Sequence, residues 1–227
     1  MEANAMQGKL IVFEGIDGSG KSTQFKLLTE RLEKEGVPFR KVVFPRYKES
    51  SSSLLRSYLS GEFGSEPSDV NAFAASTFFF VDRFASYKTD WGEYYNSGGT
   101  IICDRYTTSN AIHQGAKLPE NELTDFLDWL YDFEFRLMEL PRPNIVLYMD
   151  IDLNTSMSQM KARQDATSTT GDIHETNSDY LAACLRTGKI AADRLSWNQV
   201  CCLKNGAMRS VPEIHEDVYN AVKGVLQ

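Results

Sequence analysis

Residues 15–22 read Gly-Ile-Asp-Gly-Ser-Gly-Lys-Ser, which satisfies the pattern G-x-x-x-x-G-K-[ST]. The chemistry this spacing can do is phosphate binding. Glycines let the backbone curl so that its N–H groups point inward at phosphate oxygens. A helix opening directly after them adds partial positive charge. Lys21 can reach the β- and γ-phosphates of a nucleotide, and the Ser22 hydroxyl can serve Mg²⁺. The bland alternative is a glycine-rich strand-to-helix turn that binds nothing. The motif follows an apolar run and opens an amphipathic one, which is the context phosphate binding requires.

Other candidate residues cluster at strand ends. Asp104-Arg105-Tyr106 closes the apolar run of residues 100–104, and ligands in open α/β sheets sit at such ends. Asp104 can steer Mg²⁺, and Arg105 can grip an anionic acceptor with its planar fork. An internal Asp–Arg pair capping the strand is the competing reading. Arg46 follows the second strand in Phe-Pro-Arg-Tyr. Phe79 and Arg83 stand four residues apart on one helical run, so both project from one face. A ring and a guanidinium placed so could stack on a base and hydrogen-bond its edge; Phe78 and Phe80 read as core. Lys161 and Arg163 precede a small polar stretch, residues 164–171, that reads as a mobile surface loop. Basic groups there suit a lid over a transferring phosphoryl group. They equally suit the charge complement of a helix C-terminus.

The elements that must position these groups alternate strand and helix. Residues 9–14, 40–44, 100–104, 144–150 and 200–203 read as short apolar strands. Helical runs are expected at 22–35, 51–60, 69–96, 120–140 and 212–226, with Gly or Pro at several ends. Such alternation predicts an α/β fold of three layers: a five-stranded parallel sheet flanked by helices. We expect one domain over residues 9–227, a lid region near 154–175, and a flexible polar leader over residues 1–8.

Length and charge bound the function further. With 227 residues, 42% hydrophobic and 24% charged, the chain is an ordinary globular one. Its formal charge of −7 argues against a broad nucleic-acid or anionic-membrane surface. No apolar run has the length of a membrane helix. Four cysteines, Cys103, Cys184, Cys201 and Cys202, show no C-x-x-C spacing, which fits a reduced, cytoplasmic chain. No N-K-x-D tetrapeptide of a GTPase switch occurs. A small acidic α/β chain with this loop favours phosphoryl transfer to a small acceptor.

Several ordered motifs together resemble the thymidylate kinase (dTMP kinase) family: FEGIDGSGKST, FPRY, FFFVDRF, DRYTTSNAIHQG, and a closing strand and helix from Trp197 onward. The resemblance covers nearly the whole chain from Lys9. It implies a nucleoside monophosphate kinase-like fold and transfer of the ATP γ-phosphoryl to dTMP with Mg²⁺. By position, Gly15, Ile16, Asp17, Gly18, Ser19, Gly20, Lys21, Ser22 and Thr23 would hold ATP. Asp17 would meet the acceptor 3′-hydroxyl, Phe79 would stack on thymine, and Arg83 and Gln114 would read its edge. Arg46 and Arg105 would hold the 5′-phosphate, with Ser22 and Asp104 at the metal. Lys21, Asp17, Arg105 and Arg163 would form the catalytic set. Some relatives carry Arg directly after the loop carboxylate; Gly18 stands there here, which shifts the transition-state cation to Arg163, with Lys161 behind it. His113 stands where many relatives have Tyr. The family is also homodimeric. A deoxynucleoside kinase acting on an uncharged acceptor, or a non-catalytic nucleotide-binding regulator, would share the loop.

Overall fold

The structure, a computed structural model, describes residues 8–167 and 178–226. Its centre is a five-stranded sheet of order β2-β3-β1-β4-β5, built from β1 (Lys9–Glu14), β2 (Arg40–Val43), β3 (Thr100–Asp104), β4 (Ile145–Asp150) and β5 (Asn198–Cys201). Every pairing is parallel. The central strand β1 is apolar at nearly every position because both of its faces are covered. Leu10 and Val12 pack into one core and Ile11 and Phe13 into the other, the two-residue period of a strand.

Helices α1 (Lys21–Lys34) and α9 (Val211–Leu226) close one face. Leu28, Leu32, Ile214, Val218 and Val222 lie buried against Ile11 and Phe13. The other face is covered by α3 (Ala72–Ser86), α5 (Thr107–His113), α6 (Glu120–Tyr131) and α8 (Ser178–Arg194). Phe80, Ile112, Phe126 and Cys184 are among the residues these helices bury. Helix α2 (Ser53–Leu59) packs on α3 through Leu55, Tyr58 and Ala75. These layers match the expected architecture.

Register fixes where chemistry can occur. Phe13 lies opposite Asp104, so the end of β3 sits beside the point where β1 runs into the phosphate loop.

The structure departs from the sequence-based elements in several places. The helix expected over 69–96 begins at Ala72, where the Asn71 side chain accepts the Ala74 N–H at 2.8 Å. It widens into a π turn at Tyr87–Trp91 and resumes as α4 (Gly92–Asn96). The helix expected over 120–140 likewise ends in a π turn, Asp132–Leu137. The last strand, expected over 200–203, lies earlier, at Asn198–Cys201. The chain then forms a hairpin of β6 (Leu203–Lys204) and β7 (Ala207–Met208) around Asn205-Gly206, both at positive φ. Helix α7 (Leu153–Thr167) extends into the stretch read as a surface loop; the remainder of that stretch, like residues 1–7, lies outside the described residues. Among the described residues no helix is long and apolar enough to cross a membrane.

Candidate active site

A cavity of about 490 Å³ opens at the C-terminal edge of the sheet, within the range of small-molecule sites. The phosphate loop from Asp17 to Thr23 forms one end, and Phe79, Arg83 and Gln114 line the other. Arg105 and His113 lie along it as well, and Arg163 reaches it from α7. The structure therefore brings together residues that are up to 146 positions apart in sequence, from Asp17 to Arg163.

The loop itself shows why these glycines are there. Gly18 has φ +74°, and a methyl group on it would overlap the Ser156 carbonyl oxygen of α7 and lie 3.1 Å from Met160 Cγ. Ser156 Oγ donates to the Asp17 carbonyl at 2.6 Å, so α7 is fastened to the loop at its tightest point. This leaves no room for any side chain at residue 18. Lys21 is 5% exposed and donates from Nζ to the Gly15 and Ile16 carbonyls at 2.7 and 2.9 Å. Burial, and then the nearby positive charge of Arg105, push its amine down to about 8.

Asp104 and Ser22 meet above the end of β3. Ser22 Oγ donates to Asp104 Oδ2 at 3.4 Å, and Asp104 Oδ1 is buried with no hydrogen-bond partner among the described residues. A carboxylate and a hydroxyl are hard oxygen donors, suited to an ion that keeps several waters and takes few protein ligands. The pair fits Mg²⁺.

Arg105 reaches over the loop because its own backbone is left-handed, φ +67°. That conformation costs a bulky L-residue about 1 kcal/mol or more. It is held by an N–H bond to the Phe13 carbonyl at 3.0 Å and by Cys103 Sγ, which donates to the Arg105 carbonyl at 2.9 Å. The guanidinium then bonds Asp17 Oδ1 at 2.5 Å, lies 3.8 Å from Glu14 Oε1, and donates to His113 Nε2 at 3.1 Å. The competing reading, a pair with its neighbour Asp104, is not what forms. Burial opposes ionisation of Asp17, but Arg105 and then Lys21 outweigh it and hold the carboxyl well below the usual range. Because an arginine can only donate, His113 Nε2 is the unprotonated nitrogen. Nδ1 carries the proton and lies 3.6 Å from Cys184 Sγ.

The far end of the cavity is lined by more deeply buried side chains. Phe79 is half-buried and meets Tyr58 edge-on, with ring centroids 6.2 Å apart. Gln114 is fully buried, and neither its amide nitrogen nor its oxygen has a partner among the described residues. A buried amide without partners, on the wall of a cavity, is a strong mark of a polar ligand. Arg83 is 2% exposed and clasped by Glu134. Phe78 and Phe80 pack away from the cavity, as core.

Gly15, Ile16, Arg46, Asp104 and Lys161, all expected at the site, are not among the residues that line the cavity. Arg46 does not line the cavity, although its neighbours Pro45 and Tyr47 do. The buried Asp82 carboxylate takes its backbone N–H at 2.8 Å and its Nε at 3.2 Å, and Ser51 takes Nη2. The guanidinium is thereby drawn along α3 at the rim. Lys161 is exposed and also outside the lining, whereas Arg163 is within it. Phe44, Pro45, Tyr47, Leu59, Tyr106, Ser109, Asn110 and Gln159 also line the cavity, though none was expected as a site residue from the sequence. Ser109 and Asn110 lie within the quoted DRY segment and could have been found by placing that segment on a helix.

A phosphate loop at the end of a central parallel strand, opening on a cavity at the sheet edge, defines a P-loop kinase of the nucleoside monophosphate kinase class. The sequence profile described as thymidylate kinase matches residues 13–198. A thymidylate kinase of Mycobacterium tuberculosis is 32% identical over 159 residues, 69% of this chain and 73% of that protein. A probable thymidylate kinase of Pyrococcus abyssi is 30% identical over 218 residues, covering 96% and 97%. The human thymidylate kinase is 30% identical over 216 residues, covering 94% and 89%. The solved thymidylate kinase of Candida albicans shares the fold with a TM-score of 0.68 at 20% identity, over 96% of this chain and 92% of that one. The chain belongs to the thymidylate kinase family.

Proposed function

We infer that the cavity holds dTMP with its phosphate toward the loop and its base between Phe79 and Gln114, and that the loop holds ATP. Phosphoryl transfer from ATP to dTMP, giving ADP and dTDP, is the function the family carries. The single observation that supports this seating of the acceptor is Gln114: both atoms of a fully buried amide face the far end of the cavity without a partner among the described residues.

The chemistry asks for alignment of two anions and neutralisation of spreading charge rather than for covalent work. An acceptor phosphate oxygen is already anionic at neutral pH, so it can form the new bond to the γ-phosphorus while the β–γ bridge breaks, with no general base. Arg105 faces the acceptor, held by Asp17, Glu14 and His113 in one orientation. Lys21 and the loop N–H groups serve the donor, and Arg163 approaches from α7. Because Gly18 admits no side chain, that cation has to come from the lid side. Ser22 and Asp104 would hold Mg²⁺, which would supply neutralising charge for the donor phosphates. Residues 154–175 would form the lid of a single kinase unit spanning 9–227.

We also place the protein in the cytoplasm as a homodimer. All four cysteines are free, as a reducing compartment requires. Phe73 and Val81 on α3, and Leu137 after α6, leave large apolar side chains exposed, on which a second copy would pack. A single-chain mass by sedimentation at micromolar concentration would contradict the dimer.

The test is ADP release across nucleoside monophosphates and thymidine. Fastest turnover with dTMP is expected. Faster turnover of thymidine would favour a deoxynucleoside kinase, and ATP binding without ADP formation from any acceptor would favour a regulator.

A further inference from the structure

The apolar stripe of α6 runs Leu123, Leu127, Leu130, and the next position on that face is Glu134. A carboxylate on a core-facing stripe has to be fully partnered or it is costly. Glu134 is fully buried, turned inward by the π turn Asp132–Leu137. Its Oε2 accepts from Arg83 Nε at 2.9 Å and from Thr107 Oγ1 at 2.6 Å. Its Oε1 accepts from Arg83 Nη2 and, at 3.4 Å, from Asn110 Nδ2. One carboxylate thus organises an arginine from α3 and two polar residues from α5.

The consequence lies in what this leaves of Arg83. Side-on pairing uses Nε and one edge of the fork. Nη1 makes no hydrogen bond among the described residues, and Arg83 lines the cavity wall together with Gln114 and Asn110. The wall therefore offers a fixed group that can donate and cannot accept. Opposite a pyrimidine, a donor there suits a carbonyl at the 4-position and opposes an amino group. A guanidinium free to rotate or withdraw would not discriminate so sharply.

We propose that Glu134 is a positioning residue that sets base specificity, by locking Arg83 with Nη1 presented to the base edge. The proposal rests on the seating of dTMP given above. Replacing Glu134 by Gln puts an amide N–H₂ where two donors already converge, one from Arg83 and the other from Thr107 or Asn110. Arg83 then has to swing away from its present orientation.

The experiment measures kcat/KM for dTMP, dUMP and dCMP, and KM for ATP, in the wild type, Glu134→Gln, Glu134→Asp and Arg83→Met. A displacement near 1 Å of a substrate-positioning group costs about 10²-fold. Glu134→Gln is expected to lower kcat/KM for both dTMP and dUMP by that factor. The preference for dTMP over dCMP should fall at least about tenfold, and KM for ATP should hold within about twofold. The ratio of dTMP to dUMP should not change, because both bases carry the 4-carbonyl. Glu134→Asp keeps the charge but draws the carboxylate back, and should show the same pattern more weakly; it carries the test if the Gln variant does not fold. Equal losses for all three monophosphates in both Glu134 variants would overturn the proposal and leave Glu134 a structural residue. An unchanged dTMP-to-dCMP preference in Arg83→Met would instead refute the seating of the base itself.

Discussion

Placing a single methyl group at residue 18 tests the packing of α7 on the phosphate loop. Gly18 has φ +74°, which costs alanine about 1–2 kcal/mol. Its Cβ would also overlap the Ser156 carbonyl and crowd Met160 Cγ at 3.1 Å. Non-bonded carbon contacts need roughly 3.5 Å or more, so loop and helix would have to part by several tenths of an ångström or more. Overpacking of that kind costs about 1–3 kcal/mol. Together the two effects predict a loss of about 2–5 kcal/mol, a fall in Tm of roughly 5–15 °C for a chain of this size. The same displacement moves the loop N–H groups and Lys21 relative to ATP, for about 10²-fold in kcat/KM. Thermal unfolding and steady-state kinetics on Gly18→Ala read both numbers. A variant with Tm within about 1 °C and turnover within about twofold of wild type would refute the packing argument. Lost stability with intact kinetics would show that the loop does not position ATP.

Two further outcomes follow from the charges. Burial lowers the Lys21 amine to about 8, so the free protein loses that charge as pH rises through 8, whereas bound triphosphate restores it. The Kd for ATP should therefore rise above pH 8, by up to about tenfold per unit, and Lys21→Met should abolish the dependence; a flat wild-type profile from pH 6.5 to 9.5 contradicts it. The same group binds a proton in the unfolded chain between about 8 and its ordinary value but not in the folded one, so its contribution to stability grows with pH across that window. Arg105→Ala removes a cavity donor and frees Asp17 to repel the acceptor phosphate. It should cut kcat/KM for dTMP by about 10²–10³ while changing KM for ATP only a few-fold; equal losses for both substrates would assign Arg105 to scaffolding instead.

The sheet was legible because its central strands are continuous apolar runs ended by Gly, Pro or Asp, and because one motif marks where β1 meets α1. Helices α5 and α8 carry weaker signals in the sequence. The first is short and buried at every position but Ser109, so it shows no polar face opposite an apolar one. The second buries mostly small residues, Cys184, Gly188, Ala191 and Ala192, after Tyr180 and Leu181 at its start. The hairpin at Asn205-Gly206 did carry a recognisable turn signal. The π turns at Tyr87–Trp91 and Asp132–Leu137 arise from tertiary packing and leave no local pattern. At the site, residue types located Lys21, Asp104 and Arg105. They could not reveal pairing: Arg46 is engaged by Asp82, Arg83 by Glu134 and Arg105 by Asp17, each from a distant segment. The positive charge facing the acceptor is thus more restrained, and more oriented, than a count of arginines suggests.

Phosphoryl transfer of this kind requires two nucleotides to meet end to end in one cavity. Calorimetric titration with adenosine and thymidine joined 5′ to 5′ through five phosphates measures this directly. One equivalent per chain should bind, and prior saturation with either ATP or dTMP should weaken it competitively. Binding that dTMP leaves untouched while ATP competes would show that the acceptor lies elsewhere.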